Sequence, residues 1–468
     1  MHTHCTQQQL TFQPLRRRKV VADFSAGRTS SDGGALLLRE LDERFGLTDR
    51  LADCFVDHRD QRYVDHSVRE LLRQRIYGLC LGYEDLNDHD SLRHDILLAA
   101  AVGKCDPAQR GQRNDVALAG SSTLNRLELA TRQSAAASRY RKLAADPDEL
   151  KEFFVDAFIE AHGSERPERL ILDFDASDIE LHGKQEERFY QGYYNHYCYL
   201  PLYVFCGEHL LVAELRPSNI DGSKGTVPIL EWLVPRLRAR WPGIEIIVRA
   251  DSGFSREAIF SCCEDLEIDY VIGIARNKRL QQMVQPQLAA AAARHAETGR
   301  PERVYGDLRY RTNDSWSRSR RVVCKAEQLT NKANPRFIVT SYTPEEIGPD
   351  ELYAYEYCAR GEAENRIKEA QLDLFGTRTS CKPKLANQVR VWLSAAAYTL
   401  MVHFRAHALR GTQLERAQTK TIRVRLFKVA ARVRVSARRV VVQFSSSFPL
   451  RDVFVAALAN IQASHAPP

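Results

Sequence analysis

Several things are missing from this chain. None of its eleven cysteines falls in a C-x-x-C pair, which removes the zinc-ribbon and thioredoxin readings. No window holds 18 consecutive apolar residues, so no helix spanning a bilayer is expected. The opening MHTHCTQQQL has no apolar signal core, which points to a cytoplasmic location. Neither G-x-G-x-x-G nor G-x-x-x-x-G-K-[ST] occurs, leaving a nucleotide-binding enzyme without support. Internal repeats and long low-complexity tracts are absent too. What is present is ordinary globular material: 44% hydrophobic and 27% charged residues over 468 positions. A chain of that length buries enough core to fold without metal or disulfide staples. Its cysteines, several of them in apolar runs (Cys80, Cys206, Cys324), read as small buried hydrophobes in a reducing compartment.

Charge is unevenly placed. Residues 405–440 hold eleven Lys/Arg and one acid, Glu415, a local +10 against +7 for the whole chain, so the rest nets −3. A smaller cluster is Arg16-Arg17-Arg18-Lys19. Clustered positive charge is the footprint of a protein that neutralises phosphates. A solvated basic face without a partner is the plainer alternative.

Periodicity divides the chain. Residues 1–150 read as a helical domain and a candidate for DNA binding, with apolar helical spacing over 35–54, 67–81 and 90–101. The segment 120–128 carries a Ser/Thr cap before an apolar-periodic helix, either an ordinary capped helix or the second helix of a helix-turn-helix. From 166 the pattern becomes strand-rich: 170–174, 199–205 and 210–215, then helix 226–241, strand 244–249, helix 256–266 and strand 270–274. That order predicts a mixed α/β sheet over 166–275, rejoined by helices over 349–409. Residues 276–348 read as a β-rich insertion, and 410–468 as a basic C-terminal segment.

Three acids stand out. Asp175, with Asp173 two residues earlier, closes the first strand, and Asp251 closes a later one. Sheet ends are where α/β proteins gather chemistry, and paired carboxylates there suit Mg²⁺, which takes oxygen ligands and keeps several waters. Helix capping is the competing explanation, since Asp251 precedes Ser-Gly and a helix. The third acid is Glu364. At 100° per residue, Tyr357, Arg360, Glu364 and Lys368 share one side of a helix within about 80°. Such a stripe is either a surface ladder, with Glu364 and Lys368 paired, or one wall of an active site.

The order of these elements resembles the DDE transposases of bacterial insertion sequences, and within them the family numbered thirteen-eighty of the superfamily with a Tyr-Arg-Glu-Lys signature. The residues that carry the resemblance are Leu172-Asp-Phe-Asp-Ala-Ser177, His182-Gly-Lys-Gln185, Gly192-Tyr-Tyr194, Tyr199-Leu-Pro-Leu-Tyr203, Arg249-Ala-Asp-Ser-Gly253 and Arg360-Gly-Glu-Ala-Glu364. The resemblance implies an RNase H-like fold and a catalytic, metal-binding triad of Asp175, Asp251 and Glu364. Asp173 is the alternative first acid. It also implies two Mg²⁺ ions, for which Mn²⁺ would substitute, with Asp175 bridging both. Tyr357, Arg360 and Lys368 would then grip DNA phosphates. The family's signature lysine should stand seven residues after the glutamate, where this chain has Gln371.

The expected activity is binding of terminal inverted repeats, metal-dependent cleavage at the element ends, and joining of the 3′-OH to target DNA by a homodimer on double-stranded DNA in the bacterial nucleoid. An RNase H-like nuclease without strand transfer, or an inactive transposase-derived DNA-binding protein, remains as an alternative. Trp316, isolated among polar residues, either stacks on a flipped base or anchors the insertion's own core. The tyrosines at 190, 193, 194, 197 and 199 are expected to pack a sheet.

Overall fold

The computed structural model describes residues 9–104, 117–330, 332–436 and 438–464. Cys5 and Cys105 lie outside them. The chain forms two compact units, one drawn from 1–52, 57–127 and 403–466 and the other chiefly from 128–402.

The larger unit is built on one mixed sheet. Its strands are β1 (Arg169–Ala176), β2 (Leu202–Cys206), β3 (His209–Glu214), β4 (Glu245–Ala250), β5 (Asp269–Ile274), β6 (Glu302–Tyr310), β7 (Arg320–Leu329) and β8 (Arg336–Thr340). They lie in the order β3-β2-β1-β4-β5-β8-β7-β6, with the short strand Lys332–Ala333 paired to β7. β1, β4 and β5 run parallel, while β2 and β3 on one side and β8, β7 and β6 on the other are antiparallel. The expected strand over 199–205 is two strands, because Pro201 lacks the N–H that a ladder needs. Segment 276–348 extends the same sheet rather than standing apart from it, and two helices, Lys278–Met283 and Gln285–Thr298, precede its strands.

Period two decides the faces of this sheet. Leu170, Leu172 and Phe174 of β1, with Ile246, Val248 and Ala250 of β4, enter the larger core under helices Pro147–Ala161, Thr226–Arg240 and Glu257–Asp265. Ile171 and Ile247 point the other way, into a smaller core shared with Val271, Val323 and Ile338 and closed by Leu352 and Tyr353. Helix Lys384–His403 protects edge strand β3: the Gln388 amide accepts from Leu215 N and donates to Ala213 O. An open edge would otherwise be a site for pairing with another chain.

In the smaller unit the predicted helix 35–54 is two helices, Ala35–Phe45 and Leu47–Asp53. Gly46, at φ 63°, ends the first in the left-handed conformation. Helix Val68–Leu81 begins with a complete capping box, Ser67 with Glu70. Asp42, fully buried, accepts from Thr48 N at 2.8 Å and Tyr77 Oη at 2.6 Å, and lies 3.5 Å from Arg73 Nε. The basic segment contributes here as structure: Arg423 is buried and donates to the carbonyls of Cys80 and Leu79, the open end of helix Val68–Leu81. Arg432 and Arg434, on strand Ala431–Ser436, alternate with buried Ala431 and Val433 and face solvent. Residues 105–116, which precede helix Ser121–Glu128 in the chain, are outside the described residues. No described helix is long and apolar enough to cross a membrane.

Candidate functional site: an arginine among three acids

β1 and β4 are neighbours in parallel register, Arg249 beside Asp173 and Ala250 beside Phe174. Continuing that register sets Asp251 level with Asp175. Odd-numbered positions of both strands face the smaller core, so Asp173, Asp175, Arg249 and Asp251 share one face. The helical stretch 349–373 covers that face.

Asp173 is taken by a buried ion pair. Arg249 grips it with two hydrogen bonds, Nε to Oδ1 at 2.5 Å and Nη2 to Oδ2 at 2.8 Å. The remaining nitrogen of the fork donates to the carbonyl of Glu356 at 2.6 Å, tying β4 to the covering helix. Burial raises the Asp173 carboxyl's pKa and the arginine opposes it. Sequence reasoning assigned Arg249 no role. Its signal was a lone arginine inside a buried apolar strand, which requires an acid nearby.

Asp175 has no such dedicated partner. Burial pushes its carboxyl up to about 6, Arg360 pulls the value down, and the charges of Asp251 and Glu364 push it up again. Asp175 thus feels both of the other acids. Arg360 is the cation among them: Nη2 donates to Glu364 Oε1 at 2.5 Å, and Nη1 lies 3.7 Å from Asp175 Oδ2. Burial opposes its charge, but Asp175, Tyr357 and Glu364 raise its pKa overall. Asp251 also caps the turn that follows, accepting from Gly253 N at 2.8 Å. Capping and site geometry coexist at this residue.

The covering helix is not a regular α-helix. Leu352–Tyr357 and Glu369–Asp373 are π-helical and Cys358–Arg360 is a 3₁₀ turn, between α-helical pieces at Pro349–Glu351 and Gly361–Lys368. Irregular turns of this kind re-aim side chains. Tyr357 packs on the smaller core, and its hydroxyl sits over β5 where Gly273 leaves space. A methyl at Gly273 would stand 2.6 Å from Tyr357 Oη and 2.9 Å from Ser252 N. Burial raises the Tyr357 pKa, Arg360 lowers it and Asp251 raises it.

Lys368 is exposed. The expected Glu364–Lys368 ladder gives way to the Arg360–Glu364 pair, because Arg360 meets Asp175 at the same time. Gln371, at the signature-lysine position, is buried and donates to Tyr203 Oη at 3.4 Å. Tyr203 stands opposite Asp175 in the β1–β2 register.

Trp316 corrects an expectation. It is 4% exposed and packs edge-on against Phe260 at 5.1 Å and Tyr310 at 5.5 Å, inside the larger core. The face it occupies is opposite to that of the acids, so it is an anchor and offers no surface to a base. The tyrosine run corrects another: Tyr199 is buried, but Tyr190, Tyr193 and Tyr197 of the hairpin 189–199 are exposed. Cys358 is exposed as well, against the reading of the cysteines as buried.

The model of the family described as Transposase DDE domain group 1 matches residues 12–466. The chain belongs to this DDE transposase family. Among solved structures, the cryo-EM structure of the piggyBac transposase synaptic complex with hairpin DNA aligns with it at 11% identity and a TM-score of 0.41. The alignment spans 94% of this chain and 87% of that one. No curated protein matches. For a family member, the donor set at the acids is apt: three carboxylates are the hard oxygen ligands that divalent cations of the magnesium type select. Among the described residues no three Asp, Glu, His or Cys side chains converge tightly enough to hold a metal ion. Arg360 meets two of the acids instead. A divalent cation would therefore take over charge that Arg360 now balances.

Proposed function

We propose that this transposase-family chain is an insertion-sequence transposase of the thirteen-eighty family. On this reading it binds terminal inverted repeats, cuts at the element ends and joins the freed 3′-OH to target DNA. One observation carries the reading: Asp251 directly follows the strand whose Ala250 pairs with Phe174, next to Asp175, and Arg360 links Asp175 to Glu364. The sheet, with three antiparallel strands followed by parallel ones through crossover helices, supports the RNase H-like assignment.

Asp175, Asp251 and Glu364 would hold the divalent cations, two Mg²⁺ or Mn²⁺ in their place. When bound, such ions activate the attacking oxygen and neutralise charge at the phosphorus. The chain's own groups do the rest. Asp175, with its pKa raised to about 6, carries a charge that burial disfavours and an incoming cation stabilises. Arg360, released from Asp175, turns its fork to phosphate oxygens in a bidentate contact. Tyr357 lies beside Asp251 and supplies a hydroxyl to the same phosphate, and Lys368, on the exposed side, reaches the flanking backbone. The pair Asp173–Arg249 holds β1, β4 and the covering helix in place.

Residues 166–275 and 349–409 would then be the catalytic core and 276–348 its insertion. Residues 1–150 and the basic 410–468 would engage DNA, with Arg432, Arg434, Arg438 and Arg439 presented to solvent. Two ends cut together call for a dimer on the DNA. The deciding experiment supplies purified chain with pre-cut end duplexes, Mg²⁺ and a target plasmid. Joined products support the transposase, whereas cleavage without joining selects the nuclease. Asp251→Asn and Glu364→Gln should each abolish both steps and leave DNA binding intact; normal joining by either would remove that residue from the triad.

A further inference from the structure

We infer that the antiparallel ribbon Leu10–Leu15 with Arg18–Ala22 is a DNA-gripping arm, laid along a groove with Arg16, Arg17, Arg18 and Lys19 on the phosphates. The inference rests on the proposed DNA function and names the element that serves it.

Among the described residues the ribbon is a two-stranded sheet without a third strand, and every residue of both strands is exposed. An isolated two-stranded hairpin is marginally stable in water, so this one is shaped for something outside the chain. Cross-strand neighbours share a face. Leu10 pairs with Ala22 and Phe12 with Val20, an apolar patch with Phe12 55% exposed, on the face that Arg18 shares at the tip end. Thr11 and Val21 occupy the other.

The tip identifies the partner. Leu15 pairs with Arg18, leaving Arg16-Arg17 as a two-residue loop. Arg16 takes φ 56°, the left-handed region that such loops demand and that glycine adopts at no steric cost. An arginine there, in place of glycine, puts charge where the backbone would be better served without it. No acid occurs from residue 9 to residue 22. The next one, Asp23, accepts from the backbone and hydroxyl of Ser25. Buried arginines of this chain are paired with acids, as in Arg73 with Glu43 and Asp49 or Arg320 with Glu257 and Glu264. Four adjacent cations left to solvent fit a polyanion. A second copy of the ribbon would bring four like charges to the same place.

The dimensions agree. Six extended residues reach roughly 20 Å, about six phosphate steps at 3.4 Å each. The major groove, about 12 Å wide, admits a two-stranded ribbon. The apolar face then meets sugars and base edges.

The test is the salt dependence of binding by the full chain to a short duplex of arbitrary sequence, from 50 to 200 mM NaCl. Each phosphate contact contributes about 0.9 to the log–log slope. Replacing Arg16, Arg17, Arg18 and Lys19 together by Gln should lower that slope by roughly 3 to 4, leaving thermal unfolding unchanged. Phe12→Ser with Val20→Ser should weaken binding several-fold at every salt concentration with the slope and the mass in solution unaltered. An unchanged slope in the Gln variant, beside a wild type that binds steeply, overturns the arm alone. If Phe12→Ser with Val20→Ser instead converts a dimer to a monomer without touching DNA affinity, the ribbon is a contact between copies and the arm is likewise overturned. A wild type that binds no duplex overturns both the arm and the function beneath it.

Discussion

Replacing Asp175 by Asn should stabilise the folded chain while ending its chemistry. An ordinary aspartate releases its proton near 3.8; buried among acids, Asp175 holds it until about 6. Between those values the folded chain keeps a proton that the unfolded chain has lost, so stability falls as pH rises through that window. Above it the buried charge persists as a cost. Two units at about 1.4 kcal/mol each give roughly 3 kcal/mol as an upper figure. The side chain is 17% exposed and keeps some water, so about 2 kcal/mol is the working value. The attraction of Arg360 is already contained in that figure, since it pulls the value down. Asn has the same shape and no charge to bury. Urea unfolding of the full chain should therefore show the variant more stable by about 2 kcal/mol near pH 8, with the gap closing toward pH 4. Adding Mg²⁺ at pH 8 should raise the wild type more than the variant and narrow the difference. A variant that is equally or less stable at pH 8 would refute the argument that this carboxylate is held at a cost.

Trp316→Ala should cost about 3 to 5 kcal/mol of stability and leave the DNA affinity of the folded fraction unchanged; a selective loss of end binding would contradict its place in the core. Gly273→Ala should displace Tyr357, costing roughly 1 to 3 kcal/mol and slowing cleavage. Tyr357→Phe in that background should restore part of the stability by removing the crowded oxygen, and calorimetry would show whether it does. Arg249→Met should destabilise by about 3 to 5 kcal/mol by leaving Asp173 buried without its partner. Adding Asp173→Asn should recover much of that loss, which denaturant titration can measure.

The resemblance and the strand pattern agree on where the acids stand, because the relevant information is local. A run such as Leu170-Ile-Leu-Asp-Phe-Asp must alternate between two faces, so Asp173 and Asp175 share one and the apolar residues take the other. Gly46 and Pro201 show the limit of the same reasoning. Both breaks were visible as residues, but long apolar periodicity masked the first and a β-rich run the second.

Sequence alone determined that acids stand at the ends of two strands, that basic residues gather at 16–19 and 405–440, and that a Tyr-Arg-Glu stripe follows the strand-rich stretch. Only tertiary structure decided who partners whom. Arg249 lies 76 positions from the acid it holds, and nothing in local spacing distinguishes Asp173, locked by that arginine, from Asp175, two residues on and left to Arg360. Helical spacing sets both Lys368 and Arg360 four residues from Glu364, and Arg360 wins because a second carboxylate from the sheet meets it there. Polar neighbours left Trp316 open between base stacking and a core anchor, and it is buried, since the strands flanking it carry the loop into the larger core. Periodicity is a property of one segment, whereas charge pairing and burial depend on which segments the sheet order brings together.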